Sequence, residues 1–64
     1  MEEIQILKQF VEALELNDKE EITQRDMKDL RKALESAGEF SIAEYVDRLG
    51  SPSELEDLIV NNLY

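Results

Sequence analysis

Carboxylates are almost the whole chemical inventory of this chain: sixteen Asp and Glu stand against seven Lys and Arg, with no His and no Cys. An adjacent pair such as Glu20 and Glu21 has the residue types for general acid and base work. It lies in a solvated charge run, however, with nothing to separate the two pKa values. Ser41, Ser51 and Thr23 are the candidate nucleophiles; each stands where a helix needs a cap, and no histidine is present to activate it. A chain of 64 residues also has difficulty enclosing a substrate pocket. Neither enzymatic activity nor a cofactor is therefore expected. What these carboxylates can do is bind, since a net charge of −9 in so short a chain favours solubility and an electropositive partner.

The acids fall into two groups. Glu12, Glu15, Asp18, Glu20 and Glu21 surround the end of the first apolar segment, and Glu44, Asp47, Glu54, Glu56 and Asp57 belong to the last third of the chain. Carboxylates fixed on rigid helices can reproduce the spacing of phosphates. In that logic the chain resembles anti-restriction and anti-CRISPR proteins that act as DNA mimics, although it carries no motif of any such family. The blander reading is that Glu44, Glu54, Glu56 and Asp57 complement helix N-termini and solvate the surface.

Residues 15–26 also resemble the skeleton of an EF-hand, with oxygen ligands at the first and third positions, an apolar residue at the eighth and an acid at the twelfth. Lys19 stands where the fifth ligand is expected, Glu20 where the turn glycine is, and Asp26 is shorter than the usual bidentate Glu. Many helix-loop-helix segments match so loose a pattern by accident. Residues 41–60 resemble a helix-turn-helix as well. The helix that would read DNA begins Pro52-Ser53-Glu54-Leu55-Glu56-Asp57, whose carboxylates would repel phosphates, so direct nucleic-acid binding is not expected.

The elements that must position these acids are all helical, because the apolar residues recur at helical rather than alternating spacing. Ile4, Leu7, Val11 and Leu14, widened by Ile6 and Phe10, predict a helix near 3–15 that ends toward Asn17 as a left-handed residue. Thr23 with Asp26 resembles a capping box, Ile22 and Met27 a hydrophobic staple, and Gly38 a left-handed stop, with Met27, Leu30, Leu34 and Ala37 facing inward between them. Segment 18–22 reads as either loop or an earlier helical start. Ser41 with Glu44, stapled by Phe40 and Tyr45, predicts a third helix carrying Ile42, Tyr45, Val46 and Leu49 to Gly50. Ser51, Pro52 and Glu54 then open a fourth near 52–63, with Leu55, Leu58, Ile59 and Leu63 inward.

The expected fold is all-α: a single domain over 1–64, built as a compact bundle of four short helices in two helical hairpins. One small core supplies only about 3–5 kcal/mol of net stability. No apolar run approaches the roughly 20 residues of a membrane span, and Met1-Glu2-Glu3 has the wrong charge for a signal peptide, which together predict a cytoplasmic protein.

Residues 1–24 hold seven acids and two bases, 25–38 three acids and four bases, and 39–64 six acids and one base. The middle helix, with Arg25, Lys28 and Lys32 on its outer face, is thus expected to lower repulsion between acidic neighbours. Val60 and Tyr64 fall outside the main stripe and need a cover: the protein's own core, a partner, or a second copy in a homodimer. The resulting expectation is a small protein-binding module or inhibitor docking on a basic protein surface. A DNA-mimic antagonist is the alternative, followed by a degenerate cation binder and a designed fold with no partner.

Overall fold

A computed structural model describes residues 2–63. It is all-α, with four helices: α1 (Glu2–Ala13), α2 (Gln24–Ser36), α3 (Phe40–Leu49) and α4 (Pro52–Leu58). A single 3-10 turn, Leu16–Asp18, follows α1, and α4 continues into a wider π-helical segment, Ile59–Leu63. No strand occurs among the described residues. The radius of gyration, 10.3 Å, is close to the roughly 10.7 Å expected of a compact domain of this length.

Each inward stripe supplies its share of one core. Leu7 and Val11 of α1, Met27, Leu30 and Leu34 of α2, Ile42 and Val46 of α3, and Leu55 and Leu58 of α4 are buried together with Ile59 and Leu63. The tightest pairing is between α2 and α3, which joins the first hairpin to the second; α1 lies against α2 and the π-helical segment. Ile6 and Phe10 at the margin of α1 pack partly buried against this core. No charged or polar side chain is buried among the described residues.

Local chemistry explains the helix boundaries. At the start of α2, Asp26 N–H donates to Thr23 Oγ1 at 3.2 Å and Thr23 N–H donates back to Asp26 Oδ2 at 2.9 Å, so Asp completes a reciprocal capping box. Gly38, at φ 81°, ends α2 in a Schellman motif: Gly38 N–H reaches Glu35 O and Glu39 N–H reaches Leu34 O at 2.8 Å. That motif moves the start of α3. Glu39 is already fixed in place and its carbonyl accepts from Ala43 N–H, so the helix begins at Phe40. Ser41 consequently lies inside the first turn instead of capping it, and Phe40 is 66% exposed instead of stapling Tyr45. At α4, Ser51 caps through Glu54 N–H and Pro52 opens the helix, as its missing N–H permits.

The end of α1 differs from the sequence reading. The left-handed residue is Glu15, at φ 59°, not Asn17. Glu15 N–H bonds to Glu12 O, the chain reverses two residues earlier, and Leu16 enters the core while Leu14 is left 37% exposed. Residues 19–22 are not helical.

Candidate functional site: an acidic face and an apolar groove

One long-range bond ties the two acidic segments of the chain to each other. Ile22 N–H, in the connection between α1 and α2, donates to Glu56 Oε1 of α4 at 3.1 Å, across 34 residues of sequence. Ile22 itself is buried, so its side chain anchors the loop in the core while its backbone is tied to α4. The bond brings together the two acidic segments of the chain. Glu20 and Glu21 directly precede Ile22, and Asp57 directly follows Glu56, so the bond ties the loop that carries the first two acids to the helix that carries the third. Glu20, Glu21 and Asp57 are exposed, and no ion pair among the described residues reaches them. Asp18 lies at the end of the adjoining 3-10 turn, with Glu12 and Glu15 exposed at the end of α1.

Other carboxylates are engaged within the molecule. Glu44 accepts from Arg48 one turn along α3 at 2.6 Å, and Asp47 accepts from Arg31 of α2 at 2.7 Å. Glu56 is half-buried and accepts from Ile22 N–H through Oε1, so it links the loop to α4. Arg31 links α2 to Asp47 of α3, whereas Arg25, Lys28 and Lys32 form no ion pair among the described residues.

Asp26, the last acid of the EF-hand-like loop, is turned inward on its own cap. Its Oδ2 accepts from Lys19 Nζ at 2.6 Å, from Thr23 N–H and from the Thr23 hydroxyl. The Lys19 bond first, then the Thr23 backbone N–H, holds the Asp26 carboxyl below its ordinary value of 3.8, against a smaller opposing effect of burial. No group of three or more acids that could hold a metal ion comes together among the described residues.

Apolar surface gathers elsewhere. A groove of about 560 Å³ opens between α1 and α3, lined by the partly exposed Ile4 and Tyr45 over the buried Leu7 and Ile42, with Glu3, Ser41 and Asn62 around them. Tyr45 is 40% exposed there, because Ala43 instead of Tyr45 completes the buried face of α3. Val60 is 71% exposed on the π-helical segment, and Tyr64 lies outside the described residues. The sequence pattern puts Tyr45 among the residues carried inward by α3, and the structure instead leaves it at the groove. Its only advance sign was an aromatic on the edge of the α3 stripe. No described helix is long and apolar enough to cross a membrane. Comparison with protein-family models, with curated proteins and with solved structures finds no significant match, so the functional reading rests on this chain's own geometry.

Proposed function

We propose that this chain is a non-enzymatic protein-binding module, acting as an adaptor or inhibitor, that docks on an electropositive partner through the junction of its two acidic segments. The observation that carries the reading is the Ile22–Glu56 bond, which ties the loop carrying Glu20 and Glu21 to the helix carrying Asp57, three exposed acids that no ion pair among the described residues reaches. Acids on an ordered backbone lose only side-chain freedom on docking. Their field also steers a basic surface toward them, over a range of about 8 Å at physiological ionic strength.

The test compares two charge reversals of equal size. One replaces Glu20, Glu21 and Asp57 by Lys; the other replaces Asp29, Glu35 and Glu44, which are exposed elsewhere on the surface. Each protein is immobilised, and the proteins it retains from cell extract are quantified by mass spectrometry at low salt and at about 0.5 M salt. Basic proteins retained by the native chain and by the second variant, but lost by the first and in high salt, support the reading. Equal loss from both variants reduces the effect to net charge and contradicts it. If the retained proteins are nucleic-acid-binding and duplex DNA displaces them, the module is a DNA mimic.

A further inference from the structure

We infer that the groove between α1 and α3 receives a short amphipathic helix of a protein partner, one that carries aliphatic anchors flanked by Lys or Arg. This rests on the reading above and adds to it a second contact site and the chemistry of the segment that fills it.

Three features of the groove select that occupant. Its exposed apolar surface comes from two different helices, Ile4 on α1 and Tyr45 on α3, over the buried Leu7 and Ile42, and the two helices make few contacts with each other across the opening. Such a cleft takes side chains that project from one face of a helix at spacings of three and four. An extended peptide has no strand edge to pair with, because none exists among the described residues. The volume, about 560 Å³, admits a few side chains, so the partner helix would lie on the rim.

Charge then decides among helices. Among the described residues the only charged type lining the groove is Glu3, with Glu2 exposed beside it, and no described Lys or Arg lines it. A helix with cationic flanks gains from that rim and from the −9 of the whole chain, whereas a second copy carries the same −9 and is repelled. Tyr45 supplies the central contact: it is the aromatic of the wall, its ring is partly exposed, and interface energy concentrates on such residues.

The experiment titrates the isotope-labelled full chain by NMR with three synthetic probes: a Leu/Lys amphipathic helical peptide, its Leu/Glu counterpart, and oligolysine. The Leu/Lys peptide is expected to shift the amides of Ile4, Leu7, Ile42 and Tyr45 most, and the Leu/Glu peptide to leave them unmoved. Tyr45→Ser should weaken the Leu/Lys peptide about tenfold. Ser41→Lys, an exposed rim change that leaves the core intact, should weaken it similarly. If the Leu/Lys peptide shifts only residues 18–21 and Asp57, as oligolysine is expected to do, and neither variant changes its affinity, the groove inference fails while the acidic docking face survives. If no cationic probe binds at low salt, both fail. Groove amides that move with protein concentration alone identify a second copy as the occupant and overturn the inference.

Discussion

Replacing Glu56 by Ala should destabilise the fold more than its half-exposed position suggests, and replacing it by Gln should recover a large part of the loss. The Ile22 N–H donates to Glu56 Oε1 at 3.1 Å, and Ile22 is 4% exposed. Removing the acceptor strands a partly buried donor, which costs about 1–3 kcal/mol. Water can reach the edge of this site, so the lower part of that range, about 1–2 kcal/mol, is expected. For a domain of this size each kcal/mol moves the melting temperature by roughly 4–8 °C, so Glu56→Ala should melt about 5–15 °C lower. Gln retains a carbonyl oxygen and loses only the charge assistance, which leaves about half the penalty. Both variants also remove one negative charge from a chain of −9, which acts in the opposite direction. That contribution is common to the two, so the difference between Ala and Gln isolates the hydrogen bond. Thermal and urea unfolding followed by circular dichroism provide the measurement. Equal midpoints for Ala and Gln would refute the reasoning, whatever their position relative to the native chain.

Two further predictions concern local geometry. Glu15→Gly should stabilise the fold by about 0.5–1 kcal/mol, seen as a higher urea midpoint with unchanged slope, because Glu15 sits at φ 59° where only glycine escapes a steric penalty; an unchanged or lowered midpoint would show that the turn is not left-handed in solution. Asp26→Asn should be destabilising at neutral pH, and the gap from the native chain should close in acid. The folded pKa of Asp26 lies below its ordinary 3.8, so its contribution is complete above that value and is lost as pH falls through the folded pKa; a gap that persists unchanged well below pH 3.8 would contradict it.

How much of this was legible in the sequence follows from the range of the interactions. The Thr23–Asp26 box and the Ser51-Pro52 start are complete within four residues, so residue types alone reveal them. Ser41–Glu44 looked equally complete. It is overruled because the Schellman end of α2 fixes Glu39 first, and a motif cannot cap a helix that has already begun. At the end of α1, Asn17 was the better left-handed residue by intrinsic preference, but burial of Leu16 puts the reversal at Glu15. The acids themselves are visible in the sequence, yet the tie between their two segments is not. The bond that joins them uses a backbone N–H, which every residue but proline carries, and spans 34 positions. The groove likewise depends on how α1 and α3 are spaced, which no local pattern encodes.

Hydrogen exchange of the Ile22 amide tests the central claim most directly, because the docking face exists only if the loop is held against α4. The account predicts slow exchange in the native chain, comparable with the amides of neighbouring helices, and loss of that protection in Glu56→Ala. Exchange of the native Ile22 amide at the rate of an unstructured peptide would mean that the two acidic segments are not joined.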